Sequence, residues 1–269
     1  MNGWVGNPLV ITQAGRLTAT PCLESNQTVF LEQNHVHVWF TSFSESSPSL
    51  DMFTRTLNRA ESLKMSRFAT EHLRVRFACA HGLLRLLLSR YADCLPGELV
   101  FSEGSHGKPV LVGAEGLSFS LSHSGEGVAI AVARDLDIGV DIEEIKPIED
   151  RSSLVERFFS ADETYSYKAL PPSVQETAFF RLWTRKEAFV KGLGLGLSHP
   201  LDSFSVGVDV PVSLAGRNSA DWSLHHLEPG HGFAGALAVR SHQAALYGGF
   251  LQLTGLHAQA SDEQKKADK

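Results

Sequence analysis

Hydrophobic and polar positions recur along this chain in two different periods, which predict a mixture of strands and helices. Apolar residues spaced three and four apart over residues 55–90 and 174–191 indicate amphipathic helices, and residues 152–159 also have helical character. Short β-type segments precede and follow these helices. We predict strands over residues 36–43, 117–121, 128–133, 138–142, 204–210, 233–239 and 244–251. This order of elements predicts an α+β protein with two halves that meet near residue 137.

Turn and cap residues divide these elements. Residues 104–109 contain two glycines and a proline and predict a hairpin-like loop. Ser160 and Glu163 have the spacing of a capping box at a helix start. Gly192 is expected to end the long second helix. The glycines that follow it do not form a dinucleotide-binding fingerprint, because they come after a helix and do not open one.

We therefore expect three regions in the chain. Residues 1–137 form an N-terminal α+β half, residues 138–255 a C-terminal α+β half, and residues 256–269 a charged, disordered tail. No repeat relates the two halves at the level of residue identity.

Composition limits the class of protein. The chain has 269 residues, of which 43% are hydrophobic and 20% charged, as in ordinary globular proteins. Its three cysteines form no CxxC pair, and no secretory or membrane-spanning segment is apparent, so we expect a cytoplasmic location. A net charge of −6 disfavours nucleic acid as a partner.

Positive charge is concentrated in the segment 55–90. Only Glu61 and Glu71 are acidic there, against eight basic residues: Arg55, Arg59, Lys64, Arg67, Arg74, Arg76, Arg85 and Arg90. Composition alone supports two interpretations equally, a binding surface for a compact anion and a solvated helix face.

Two carboxylates occur together on the predicted strand 138–142. Asp141 and Glu143 are two residues apart, so their side chains lie on one strand face at a Cα spacing of about 7 Å, close enough to share a cation. On this segment alone, a strand with one solvated face is the more common explanation.

A further acidic and basic pair lies on the predicted helix 174–191. Glu187 follows Trp183 by one turn, and Lys191 follows Glu187 by one turn. Glu187 and Lys191 are either a surface ion pair or a third carboxylate for the same cation, with an ammonium placed to meet a phosphate. Three such oxygen ligands would suit Mg²⁺.

Three more residues have the chemistry to bind an anion. Lys108 lies in the glycine-rich loop, and Ser122 and His123 lie between two predicted strands. Each is a weak signal alone, because a single histidine in a Ser/Gly segment is more often a surface residue than a ligand.

In combination, these residues resemble the Sfp-type 4′-phosphopantetheinyl transferase family. The resemblance covers about residues 60–206 and includes the Trp-Thr-Arg-Lys-Glu core at 183–187. Several motifs in series are much more specific than one short pattern. The matching stretches are residues 107–109, 119–125, 138–143, 157–163, 180–191 and 197–206.

This resemblance implies a fold, a reaction and partners. It implies two similar α/β subdomains related by a pseudo-twofold, with the active site in the cleft between them. Such an enzyme transfers the 4′-phosphopantetheine arm of coenzyme A to a serine hydroxyl of an apo acyl or peptidyl carrier protein. The reaction depends on Mg²⁺ and releases adenosine 3′,5′-bisphosphate. Family precedent suggests a monomer.

The resemblance also implies roles for individual residues. Glu187 and Lys191 are expected to be catalytic, and Glu163 matches an acidic family position that the capping box explains equally well. The expected metal ligands are Asp141, Glu143 and Glu187. The expected coenzyme A contacts are Lys64, Arg76, Lys108, Ser122, His123 and Lys191. An acidic carrier would need a local basic patch, for which Lys146, Arg151 and Arg157 are candidates.

Two other functions compete with this one. An Asp-x-Glu strand beside a Glu/Lys helix could also serve a Mg²⁺-dependent nuclease or phosphodiesterase, although the acidic net charge disfavours it. A noncatalytic nucleotide-binding module would use the same basic residues, with Glu187 and Lys191 as a surface pair.

Overall fold

The computed structural model of the chain describes residues 28–43, 50–104, 106–209, 212–230 and 232–251. The predicted tail of residues 256–269 lies outside the described residues. The described strands are β1 (His35–Ser42), β2 (Phe101–Glu103), β3 (Pro109–Leu111), β4 (Leu117–Ser124), β5 (Gly127–Arg134), β6 (Ile138–Glu144), β7 (Phe204–Val206), β8 (Leu214–Gly216), β9 (Ser223–Leu227), β10 (Phe233–Val239) and β11 (Ala245–Phe250). The α-helices are α1 (Leu50–Thr56), α2 (Arg59–Ser66), α3 (Glu71–Ala92), α4 (Arg151–Phe158), α5 (Ala161–Lys168) and α6 (Pro172–Leu193).

The first half is a four-stranded sheet covered by α3. The strand order is β11-β1-β5-β4, in which β5 pairs antiparallel with both β1 and β4 and β11 pairs in parallel with β1. Leu83 and Leu87 of α3 pack in one hydrophobic cluster with Phe119 of β4 and Ile130 of β5. The apolar face of the helix thus buries one face of the sheet.

The second half repeats this arrangement with α6. Its sheet has the order β6-β10-β9 and is antiparallel throughout. Phe189 of α6 is fully buried in a cluster with Ala236 and Ala238 of β10 and Leu224 of β9. Each half therefore contains three antiparallel strands and one helix of 22 residues, α3 or α6.

The faces of the two sheets that α3 and α6 leave uncovered share a third cluster. Val38 and Ala131 of the first sheet lie in it with Val140 and Leu237 of the second. The layers are therefore helix, sheet, sheet and helix, and one hydrophobic cluster lies between each pair of adjacent layers. This confirms the predicted α+β fold with two similar halves.

One strand lies in a different half from the one predicted. The division at residues 138–255 assigns residues 245–250 to the C-terminal half, but β11 pairs in parallel with β1, with His35 opposite Ala245. β11 thereby supplies backbone hydrogen-bond partners to the edge of β1 that faces away from β5. The boundary at residue 137 itself stays a prediction.

The predicted helix over residues 55–90 is in fact three helices. Asn58 caps α2, where it forms a capping box with Glu61, and the Thr70 side chain accepts a hydrogen bond from Leu73 N at the start of α3. The apolar period continues across both caps, but a polar N-cap side chain starts a new helix.

Two further cap predictions have different outcomes. The Ser160–Glu163 capping box is confirmed and begins α5, a helix that periodicity alone does not predict. Gly192 does not end α6. Gly194 does, with a positive φ of 68° that glycine adopts without strain. Gly192 lies inside the helix, where a methyl group in place of its hydrogen would lie 2.5 Å from the Trp222 ring.

Two more general predictions concern cysteines and membrane segments. Cys79 and Cys94 are free, and burial raises the pKa of the Cys79 thiol to about 11, so this thiol is unreactive at neutral pH. Among the described helices, none is both long and apolar enough to span a bilayer.

Candidate active site

A row of serine hydroxyls joins the two sheets between β4 and β6. These strands belong to different sheets, and alternate serines of β4 accept hydrogen bonds from backbone N–H groups of β6. The bonds run from Val140 N to Ser120 Oγ (3.0 Å), from Ile142 N to Ser122 Oγ (3.3 Å) and from Glu144 N to Ser124 Oγ (3.1 Å). We call this row the serine seam. It fixes the register of β6 against β4.

Asp141 lies on β6 beside this seam and is 3% exposed. Its Oδ1 atom accepts hydrogen bonds from Ser122 Oγ at 2.8 Å and from Lys191 Nζ at 2.6 Å. Among the described residues, its Oδ2 atom is buried and has no hydrogen-bond partner. A buried carboxylate oxygen without a partner is costly unless a cation or a donor binds it.

Glu143 and Glu187 are the other two acidic groups. Burial raises the pKa of the Glu143 carboxyl, and the charge of Asp141 adds to this, whereas the hydrogen bond from Ser124 to Glu143 Oε2 lowers it. Burial also raises the pKa of Glu187, with the charges of Asp141 and Glu143 acting in the same direction and Lys191 opposing them. The three carboxylates therefore lie within electrostatic range of one another and of Lys191.

The close approach of α6 to β6 brings these groups together. A methyl group on Gly139 would lie 2.1 Å from Ala188 O and 2.3 Å from Gly192 N, so the helix backbone rests directly on the strand at this glycine. Gly139 and Asp141 lie on the same face of β6. Glu187 and Lys191, on either side of Ala188, are thereby placed over Asp141.

A basic cluster lies on the α3 side of β4. Partial burial lowers the pKa of His123 to about 4, and the nearby charges of Arg76, His81 and Lys191 lower it as well. The Nζ atom of Lys64 lies 5.5 Å from the centre of the Phe77 ring, which stacks on His81 at 4.0 Å. Arg76 and His81 of α3 thus lie within electrostatic range of His123, and Lys64 of α2 contacts the same helix through Phe77.

Lys108 makes contacts that the sequence did not predict. Its Nζ atom donates to Ile138 O at 2.9 Å and to Gly192 O at 3.1 Å, so it joins the β2–β3 loop to β6 and to the last turn of α6. Burial lowers the pKa of this ammonium. Its contact with a phosphate of coenzyme A stays a prediction.

Other predicted basic residues serve the fold. Arg85 is fully buried and binds Glu61 at 2.7 Å and the carbonyl oxygens of Pro96 and Leu99, so it cannot meet an anion in solution. Arg74 pairs with Glu71 on the surface. The basic segment 55–90 is therefore not one anion-binding face, because its members point in different directions.

Glu163 lies in the interior and is 3% exposed. One carboxylate oxygen accepts from Ser160 N and contacts Lys186 Nζ, both at 2.7 Å, and the other accepts from Val206 N at 2.7 Å. Both oxygens have partners within the protein, which confirms the capping interpretation. Lys186 therefore points inward, whereas its neighbour Glu187 points towards Asp141.

Two further residues contribute to this region and were not predicted from the sequence. Ser124 contacts a predicted metal ligand, and Gly139 permits the approach of α6. The alternation of serines in residues 118–124 and the isolated glycine in a β-branched strand were the available signals.

Comparison with known proteins identifies the family. Residues 137–243, which contain β6, α6 and β10, match the model of the 4′-phosphopantetheinyl transferase superfamily. The protein "4′-phosphopantetheinyl transferase HetI" of Nostoc sp. is 32% identical over 212 residues, covering 78% of this chain and 89% of that protein. This chain belongs to the 4′-phosphopantetheinyl transferase superfamily.

Two other members are similar over shorter regions of this transferase. The Bacillus pumilus protein "4′-phosphopantetheinyl transferase psf-1" is 42% identical over 144 residues, which are 52% of this chain and 60% of that protein. The Bacillus subtilis protein "4′-phosphopantetheinyl transferase Sfp" is 35% identical over 157 residues, which are 56% of this chain and 69% of that protein.

The carboxylates of this transferase can be tested for their fit to a divalent cation. Within the described residues, no three His, Cys, Asp or Glu side chains form a ready-made ligand cluster. The donor chemistry nevertheless fits a hard cation, because Asp141 Oδ2 is buried without a partner and two neighbouring carboxyls have raised pKa values. Asp141, Glu143 and Glu187 are the residues that would hold such an ion.

The raised pKa of Glu187 predicts that removing its charge stabilises the metal-free transferase. A carboxyl whose pKa is higher in the folded than in the unfolded protein reduces stability as the pH rises above its ordinary value of 4.5. Glu187→Gln should therefore raise the melting temperature in EDTA by about 1–3 °C at pH 8, and by less at pH 5. Differential scanning calorimetry measures this.

The exposed Glu115 provides a control for this substitution. Glu115→Gln should leave the melting temperature unchanged at both pH values. A Glu187→Gln protein that melts below the wild type at pH 8 would contradict the electrostatic description of the site.

Proposed function

We propose that this transferase moves the 4′-phosphopantetheine arm of coenzyme A to a serine hydroxyl of an apo acyl or peptidyl carrier protein. Adenosine 3′,5′-bisphosphate is the second product, and Mg²⁺ is required. The observation that carries the proposal is the convergence of Asp141, Glu143, Glu187 and Lys191 from β6 and α6 beside the serine seam.

The chemistry follows from these groups. The serine oxygen forms a bond to the phosphorus that bears the pantetheine arm, and the bond from this phosphorus to the bridging oxygen of the diphosphate breaks. Bound Mg²⁺ would supply charge neutralisation to the diphosphate. Glu187, whose raised pKa makes it a better base than an ordinary carboxylate, accepts the serine proton. Lys191 stabilises the negative charge on the leaving phosphate.

The nucleotide end of coenzyme A has a separate set of contacts. Arg76 and Lys64 supply positive charge to its phosphates. Ser122 Oγ accepts a hydrogen bond from Lys191 Nζ at 2.9 Å, and Lys108 Nζ lies at the last turn of α6, where it donates to Gly192 O. His123 lies within the field of Arg76, His81 and Lys191, and its ring nitrogens can hydrogen-bond to a phosphate oxygen.

The carrier protein is expected to approach the segment after β6. Lys146, Arg151 and Arg157 lie there, but Lys146 is 3.8 Å from Glu144 and Arg151 is 3.4 Å from Glu176. Surface pairs of this kind exchange partners at little cost, so an acidic carrier can compete for them. We also propose that the enzyme is a cytoplasmic monomer that binds neither membranes nor nucleic acid.

Mass spectrometry of the carrier tests the function directly. Incubation of the protein with coenzyme A, Mg²⁺ and a purified apo carrier should add the mass of one phosphopantetheine to each carrier serine. EDTA should prevent the addition, and a carrier with this serine changed to alanine should gain nothing. No addition with fatty-acid, polyketide and peptide-synthetase carriers would overturn the proposal. Cleavage of DNA or RNA under the same conditions would indicate a nuclease.

A further inference from the structure

The serine seam does more than join two strands, because two of its members also contact carboxylates. The bonds from the backbone of β6 to Ser120, Ser122 and Ser124 each join residues twenty positions apart, so the two strands run in parallel and in constant register. In this register, the carboxylates of Asp141 and Glu143 each lie next to a serine hydroxyl.

The proton of the Ser124 hydroxyl has a defined direction. A hydroxyl has one proton to donate and two lone pairs to accept with. The Glu144 N–H can only donate, so Ser124 Oγ accepts at that contact, at 3.1 Å, and its own proton points to Glu143 Oε2. Ser124 is 8% exposed, so water competes little for this proton.

Ser122 makes the same two kinds of contact as Ser124, one to a backbone N–H of β6 and one to a carboxylate. Ser122 Oγ accepts from Ile142 N at 3.3 Å and donates to Asp141 Oδ1 at 2.8 Å. In both cases a backbone N–H orients a serine, and the serine then holds one oxygen of the preceding carboxylate. The other oxygen of that carboxylate is left for a different partner.

From this geometry we propose that Ser124 is a positioning residue for the metal ion. It holds Glu143 Oε2 and so presents Glu143 Oε1 to the cation that Asp141 and Glu187 share. The inference rests on the proposed function only in assigning these three carboxylates to a divalent cation. Hydrogen bonds that orient a ligand carboxylate typically change metal affinity by about 10- to 100-fold.

Ser120 provides a matched control within the same strand. It accepts from Val140 N at 3.0 Å, as Ser124 accepts from Glu144 N, but the β6 residue before Val140 is Gly139, which has no carboxylate. Ser120 is 7% exposed, close to the 8% of Ser124. Ser120→Ala therefore removes the seam contact alone, whereas Ser124→Ala removes the seam contact and the carboxylate contact.

Titration with Mn²⁺, followed by electron paramagnetic resonance of the free ion, tests the proposal without any transfer reaction. We expect the Mn²⁺ dissociation constant of Ser124→Ala to rise about tenfold, with and without coenzyme A. Ser120→Ala should stay within twofold of the wild-type dissociation constant, although it also loses a hydrogen bond of the serine seam. Ser124→Thr retains the hydroxyl and should restore the affinity.

In steady-state assays, Ser124→Ala should raise the KM for Mg²⁺ by a similar factor and leave the KM for coenzyme A at saturating Mg²⁺ unchanged. Wild-type Mn²⁺ affinity in Ser124→Ala, equal losses of Mn²⁺ affinity in Ser120→Ala and Ser124→Ala, or a wild-type protein that binds no Mn²⁺ would each overturn the inference. Failure of the proposed function has a different signature, because Mn²⁺ binding and its dependence on Ser124 would persist while no carrier gained phosphopantetheine.

Discussion

Replacing Asp141 by Asn should reduce transfer to the carrier by at least about 10²-fold while the protein remains folded. Asn keeps the size of the side chain and one oxygen that can accept from Ser122 and Lys191. It removes the negative charge of the carboxylate and replaces the unpartnered Oδ2 atom, which would bind the cation, with an amide nitrogen. The loss should therefore appear in metal binding and in kcat. Mn²⁺ titration measures the metal affinity, and mass spectrometry of the carrier over time measures the rate of transfer.

The surface residue Asp137 provides a control for this change, because it pairs with Arg240 in an exposed contact at 3.3 Å. Asp137→Asn should transfer phosphopantetheine within twofold of the wild-type rate. An Asp141→Asn protein with near-normal transfer would refute the assignment of Asp141 to the metal site.

Replacing Gly139 by Ala should destabilise the second half by about 3 kcal/mol or more. The new methyl group would lie 2.1 Å from a backbone oxygen and 2.3 Å from a backbone nitrogen of α6, and neither can move without the helix. Moving α6 away from β6 would also separate Glu187 and Lys191 from Asp141. We therefore expect a loss of transfer together with a lower midpoint of urea unfolding.

Gly97 is the matched control, since a methyl group there would meet nothing within 4 Å. Gly97→Ala should leave both the unfolding midpoint and the transfer rate close to the wild-type values. If Gly139→Ala unfolded at the wild-type urea concentration, the close packing of strand and helix would not be what positions the site.

The grouping of the acidic residues of the site could be predicted from local sequence, because the strand and helix periods determine which residues lie on the same face of an element. Asp141 and Glu143 share one face of β6 through the two-residue period, and Lys191 follows Glu187 by one helical turn. The family resemblance then assigned both pairs to a single site. The structure agrees in placing Lys191 Nζ at 2.6 Å from Asp141.

Features that depend on contacts between distant segments could not be predicted in this way. Lys108 donates to backbone carbonyls 30 and 84 positions further along the chain, and nothing in its own loop indicates this. Arg85 resembles the other basic residues of its segment in sequence, yet its side chain is fully buried because it lies on the side of α3 that faces the interior. Composition gives the number of charged side chains, whereas the packing of the fold determines which way each side chain points.

The parallel pairing of β11 with β1 makes the two halves topologically inseparable. The first half obtains its edge strand from residues 245–250, which the chain reaches only after completing the second half. A fragment that ends at residue 137 would lack that strand and would expose the backbone of β1 to pairing with other chains. A newly synthesised chain therefore cannot complete its N-terminal sheet until almost all of the described sequence has left the ribosome.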